Sequence, residues 1–322
     1  MKQLRVIETS SSLNLLKGLA ILLLEFDFCA QFSLSYSSKC LQGQNLFPAF
    51  VRLRGASDLN AAVRQGHPEL KAGLKPFLMK QFSVAHDRCA MPVNSDGYLL
   101  GALAAGDSNA GTVRHILDIG TGSGVIALQM AQRFENAAVD AVEIHGPSAK
   151  QASDNFESSP FTRRMVCHHR SLQEFEAEVQ YDIIVSNPPY FEGGTASSEF
   201  AVAAAKHALL LDYASLVQKA ARFLKDTGSF WIIIPCDCGH RLIDVALQHG
   251  LFLNEVIRIH PKEDRPANRC IFSLSKADEG KVGERSFTLY NQDRGLPGAD
   301  NRGAKQYTPE AREVLQPFLA PL

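Results

Sequence analysis

Val113-Arg-His-Ile-Leu-Asp-Ile-Gly-Thr-Gly-Ser-Gly-Val125 is the stretch that decides the fold of this chain. Residues 113–119 form a short apolar run rich in β-branched side chains, as a buried strand requires. Glycines at 120, 122 and 124 follow, and apolar residues then recur at helical spacing over 125–134. The order strand, glycine turn, helix predicts the opening of an α/β domain.

Reading outward, 139–144 (VDAVEI) is a second strand that ends in an acid, and 147–158 a second helix. Residues 164–168 form a weak third strand and 181–186 (YDIIVS) a strong fourth. A helix over 213–224 stops at Asp226-Thr227-Gly228, before a fifth strand at 229–235. A helix over 240–249 stops at Gly250, and strands at 251–259 and 269–274 close the pattern. Alternating strands and helices predict a doubly wound, mostly parallel α/β sheet with a C-terminal antiparallel strand pair. Residues 280–304 read as a polar, Gly-rich loop, within a C-terminal tail (281–322) that packs on the main domain (74–280).

Composition sets outer limits. With 322 residues, 45% hydrophobic and 21% charged, the chain is neither disordered nor fibrous. A net charge of −1 removes the signature of a strongly basic nucleic-acid binder but leaves room for a local basic rim. Seven cysteines, thinly spread and odd in number, predict reduced thiols and a cytoplasmic protein. Cys236 and Cys238 read as two thiols near a loop, and His168-His169 lacks the spacing and third ligand of a metal site. No charge-free apolar run reaches membrane-spanning length. In residues 1–73, Lys2 and Arg5 precede an apolar stretch interrupted by Lys17 and closed by Glu25 and Asp27. No small-residue cleavage site follows, so this segment reads as an N-terminal extension rather than a signal peptide.

The chemistry begins at Asp118, Gly120, Gly122 and Gly124. Glycines let the chain turn sharply and let a ligand approach bare backbone. The acid before the turn suits a cationic ligand such as S-adenosylmethionine, and Glu143 at the next strand end suits ribose hydroxyls. Asn187-Pro188-Pro189-Tyr190 follows the fourth strand directly. An Asn carboxamide offers an acceptor and donors in one plane, which fits an exocyclic amino group. The Pro188 carbonyl is held rigidly enough to aim at the same group, and the Tyr190 ring gives a base a face to stack on.

Together these motifs resemble class I S-adenosylmethionine-dependent N-methyltransferases with a Rossmann-like fold. A block upstream narrows the resemblance: Lys80-Gln-Phe, His86-Asp87, Ala90-Met91, Val93-Asn-Ser-Asp-Gly97 and Leu99-Leu-Gly-Ala-Leu103. It is similar to the bacterial tRNA(Val) adenine-37 N6-methyltransferases, from about Leu74 through a Tyr307-Thr308…Glu310 tail. The resemblance implies methyl transfer from S-adenosylmethionine to N6 of adenine 37 in the anticodon loop of valine tRNA. It also implies that Lys80, Phe82, Asp96 and Gly97 lie over the cofactor. The chain departs from the family at Pro92, at Asn94-Ser95 and at Ser171, where an acid normally meets the cofactor adenine. Arg163, Arg164, Lys262, Arg265 and Arg269 are candidate contacts to RNA phosphates at the rim. Three other readings stay open: a release-factor-type protein-glutamine methyltransferase, an rRNA guanine-N2 methyltransferase, and a catalytically dead fold that only binds RNA.

Overall fold

The computed structural model describes residues 74–106, 108–189, 213–291 and 306–320; the extension 1–73 and Tyr190 lie outside them. A small antiparallel hairpin, β1 (Phe77–Leu78) and β2 (Ser83–Val84), precedes α1 (Ser95–Leu103). Strands and helices then alternate: β3 (His115–Ile119), α2 (Val125–Arg133), β4 (Ala138–Glu143), α3 (Gly146–Glu157), β5 (Met165–His169) and β6 (Tyr181–Ser186). Helical residues 213–223 (α4) lead into β7 (Leu224–Pro235), α5 (Gly239–Gln248) and β8 (Phe252–Lys262). The last elements are β9 (Arg269–Ser275), β10 (Gly283–Tyr290) and α6 (Pro309–Leu315).

Eight strands form one sheet in the order β10-β8-β9-β7-β6-β3-β4-β5. The run from β5 to β7 is parallel, whereas β9 lies antiparallel between β7 and β8. Both faces are buried. Ile116, Ile183, Val185 and Ile233 face one core, and Leu117, Ile184, Phe230 and Ile232 the other. Burial on both faces is why these strands read as unbroken apolar runs rather than alternating ones. The chain steps from β3 to β4 and β5 on one side and returns through β6 and β7 on the other. The β3/β6 boundary is therefore the topological switch point, where open α/β sheets hold ligands at the C-terminal strand ends.

The structure corrects the sequence reading in four places. Residues 283–290, expected in a loop, form β10, an edge strand parallel to β8. Its inward pair, Phe287 and Leu289, joins the core, so the segment after 280 is integral to the sheet and not merely a tail. Residues 225–228 do not simply end α4: the β6–β7 register jumps from Tyr181↔Leu224 to Ile183↔Ser229, which makes Lys225–Gly228 a bulge. A Cβ on Gly228 would stand 2.8 Å from the Tyr181 carbonyl oxygen, which explains the glycine there. Cys236 and Cys270 form a disulfide, so the expectation of reduced thiols fails at this pair; Cys89 and Cys167 are free thiols. Cys270 opens β9 beside the end of β7, and the register Pro235↔Arg269 brings Cys236 next to it. Finally α1, unread in the sequence, is buried almost all round, so no polar face marks its period. No helix among the described residues is long and apolar enough to cross a membrane.

Candidate active site

Gly120, Gly122 and Gly124 all take positive φ (74°, 57° and 85°), the left-handed region that only glycine enters cheaply. Their surroundings differ. A Cβ on Gly120 or Gly122 would meet no atom within 4 Å, so both turn bare backbone toward open space. A Cβ on Gly124 would lie 2.5 Å from Phe156 Cε1, so this glycine serves helix–helix packing instead.

Asp118 stands at the base of the turn, fully buried. Its Oδ2 accepts hydrogen bonds from Thr121 Oγ1 at 2.6 Å and from the Ala127 N–H at 3.2 Å. Burial outweighs these bonds and pushes the carboxyl up to about 7. Its other oxygen, Oδ1, is buried and finds no partner among the described residues. Glu143, at the end of β4, accepts the Gly122 N–H on Oε2 at 2.9 Å and the His145 N–H on Oε1 at 2.8 Å. Each oxygen keeps a second lone pair for a ligand hydroxyl. The exposed Ile144 beside it supplies an apolar surface that the sequence reading did not single out.

Across the switch point, Ser186 pairs with Ile119 and its hydroxyl donates to the Ile119 carbonyl at 2.9 Å. Gly120 and Asn187 therefore leave neighbouring strands at the same level. Asn187 Oδ1 is a second buried acceptor without a partner among the described residues. Pro188 is buried and Pro189 exposed behind it.

α1 packs against α2, the helix that follows the glycine turn. Asn94 caps it, its Oδ1 accepting the Gly97 N–H at 3.1 Å. Gly97 sits against α2, where a Cβ would approach Val125 Cγ1 to 3.3 Å. Asp96 is buried and paired with Arg269, Oδ2 to Nε at 3.0 Å.

The remaining expected residues divide clearly. The contacts of Lys80 and Phe82 run elsewhere: Lys80 is exposed, its N–H on the Phe318 carbonyl, and Phe82 is core, edge-on to Phe161 at 5.9 Å. Ser171 is engaged in its own turn, donating to Glu174 Oε2 and accepting the Glu174 N–H. Of the five RNA candidates, two turn their guanidinium inward and a third lies away from the strand ends of β3 and β6. Arg164 donates to the carbonyls of Phe134, Ala137 and Ala131, which caps the C-terminus of α2. Arg163 is exposed but precedes β5, at the edge of the sheet opposite the site. Arg269 is committed to Asp96. Lys262 ends β8 and Arg265 follows it; β8 is antiparallel to β9, which is antiparallel to β7, so β8 runs parallel to β7 and both residues lie on the side of the sheet where β3 and β6 end. Among the described residues no group of three His, Cys, Asp or Glu stands close enough to hold a metal ion.

Residues 99–248 match the model of the methyltransferase small domain. A tRNA1(Val) (adenine(37)-N6)-methyltransferase from Pedobacter heparinus is 41% identical over 198 residues, 62% of this chain and 83% of that protein. One of the same name from Erwinia tasmaniensis is 38% identical over 245 residues, 74% of this chain and 97% of its own length.

Proposed function

We propose, from the premise that the chain belongs to the tRNA1(Val) (adenine(37)-N6)-methyltransferase family, that it methylates N6 of adenine 37 in valine tRNA with S-adenosylmethionine as donor. Two buried, unpartnered acceptors at adjacent strand ends carry this reading: Asp118 Oδ1 beneath the glycine turn and Asn187 Oδ1 across the switch point. A lone buried acceptor is costly unless a ligand satisfies it. The first suits the cationic methionine end of the donor, and the second suits an amino group that brings hydrogens.

The donor fits these residues. Gly120 and Gly122 let it approach the backbone, Asp118 offers its free oxygen to positive charge, and Glu143 offers lone pairs to ribose hydroxyls. When bound, its sulfonium supplies an already activated methyl group. The protein's own contribution is alignment and exclusion of water. Asn187 Oδ1 and the Pro188 carbonyl accept the two amino hydrogens of the target, which turns the nitrogen lone pair toward the methyl carbon. Tyr190 then stacks on the purine ring. Adenine 37 lies in a loop, so it leaves its stack more cheaply than a base in a duplex. Lys262 and Arg265, at and just beyond the C-terminal end of β8, hold RNA phosphates.

Single-turnover methylation of valine anticodon stem-loops tests this reading. Transfer to a loop with adenine at position 37, and none to one with guanine there, is the expected result. Equal transfer to both would refute the assignment of N6.

A further inference from the structure

Ser148, Gln151 and Asn155 lie three and four positions apart on α3, so they share one face of the helix, and all three are buried. An inward polar stripe is destabilising unless each group finds a partner. Here the partner is a strap, residues 85–90, that runs through a turn between β2 and α1. Ser148 Oγ accepts the Ala90 N–H at 3.1 Å. Gln151 Oε1 accepts the Arg88 N–H at 2.7 Å, and its Nε2 donates to Asp87 Oδ1 at 3.1 Å. Asn155 Oδ1 accepts the Ala85 N–H at 3.0 Å, while Nδ2 donates to the Ala85 carbonyl at 2.8 Å.

Asn155 does one thing the other two do not. Its Nδ2 also donates to the Ser123 carbonyl, at 2.8 Å, inside the glycine turn. Ser123 lies between Gly122, whose N–H is held by Glu143, and Gly124, whose N–H bonds the Thr121 carbonyl. Two peptide planes of the turn are thus fixed from outside it, one by the end of β4 and one by α3. The strap is fixed in turn by His86, which bonds the Lys75 carbonyl through Nε2 and the Val93 N–H through Nδ1, just before the Asn94 cap of α1.

We infer that Asn155 is a positioning residue for donor binding: one carboxamide locks the strap to the glycine turn and holds the turn in its ligand-accepting shape. This rests on the reading of the turn as the donor site. Asn155 touches no reacting atom, so its loss acts on affinity for the donor and spares the chemical step. Asn155→Asp is the sharpest probe, since a carboxylate of the same size would face the Ala85 and Ser123 carbonyls with no hydrogen to give.

The test compares Asn155→Asp with Gln151→Met, which frees the strap but leaves the bond to the turn, in the full chain. S-adenosylhomocysteine is titrated calorimetrically, and kcat and KM for S-adenosylmethionine are measured alongside melting temperature. Asn155→Asp should weaken binding and raise KM about tenfold or more, with kcat at saturation within about threefold of wild type. Gln151→Met should melt lower yet keep affinity within about twofold. Asn155→Ser, which deletes the bonds without adding charge, carries the same expectation should the Asp variant not fold. Equal loss of affinity in the Asn155 and Gln151 variants, or unchanged affinity in the Asn155 variants, overturns the inference. Amide exchange over residues 122–125 needs no ligand and should quicken about tenfold in the Asn155 variants only. If wild type binds no S-adenosylhomocysteine, the donor reading falls by itself, and unchanged exchange would sink the coupling separately.

Discussion

Replacing the glycines of the turn one at a time separates packing from ligand approach. Gly124→Ala meets two penalties. A left-handed φ of 85° costs about 1–2 kcal/mol for a residue with a Cβ. The new methyl would also lie 2.5 Å from Phe156 Cε1, in a buried contact between two helices. Overpacking of that kind costs about 1–3 kcal/mol. The sum is roughly 2–5 kcal/mol, or about 5–15 °C in melting temperature for a domain of this size. Gly122→Ala meets only the first penalty, and in both variants about 0.4–1 kcal/mol is recovered from a stiffer unfolded chain. Its methyl instead enters the open space before the turn, so donor affinity should fall steeply while stability changes by about 1 kcal/mol or less. The assay is thermal unfolding of both variants without ligand, followed by calorimetric titration with S-adenosylhomocysteine. A Phe156→Leu background should recover about 1–2 kcal/mol of the Gly124→Ala loss, because the clash is pairwise. Equal destabilisation by both substitutions, or a Gly124→Ala protein as stable as wild type, would refute the division of labour among these glycines.

Asp118 gives a pH signature. Its carboxyl is raised to about 7 in the fold, so the folded state holds a proton that the unfolded state has released between about pH 4 and 7. The native state binding more protons means that stability falls as pH rises through this window, and Asp118→Asn should flatten the dependence in unfolding melts taken at pH 5 and pH 8. Arg164→Met should lower the melting temperature, since three carbonyls at the end of α2 lose their donor, yet leave tRNA affinity unchanged in a filter-binding assay. Lys262→Ala with Arg265→Ala should do the reverse, weakening tRNA binding and reducing its salt dependence by about two phosphate contacts while stability holds. Asn187→Ala should slow single-turnover methylation by orders of magnitude with donor affinity nearly unchanged, because the loss falls on alignment in the transition state.

Much of the fold was legible because the parallel strands are buried on both faces. YDIIVS at 181–186 needs no partner to be read as a strand, and the structure returns the same bounds. β10 was not legible in that way. It is an edge strand whose first four residues are exposed, so Gly283, Glu284 and Arg285 mask the inward alternation of Phe287 and Leu289. α1 escaped for the opposite reason: buried almost all round and containing Gly97 and Gly101, it shows neither a helical face nor good propensity, and only packing against α2 explains it. The placement of Asp118, Glu143 and Asn187 at the ends of β3, β4 and β6 was readable from type and position. The long cations were not. An arginine's sequence position does not say whether its guanidinium reaches water, and Arg164 and Arg269 both turn inward to internal acceptors. Asn155 was equally hidden, since its importance comes from two segments that meet only in the fold.

The most direct test of the central claim follows the methyl group itself. Purified full-length protein is incubated with isotopically labelled S-adenosylmethionine and, in separate reactions, valine tRNA, ribosomal RNA and a peptide-release factor. Nuclease digestion and mass spectrometry of nucleosides then locate the label. The account predicts N6-methyladenosine from valine tRNA, mapped to position 37, and no transfer to the other two. Label in N2-methylguanosine from ribosomal RNA, or on a glutamine of the release factor, would contradict it.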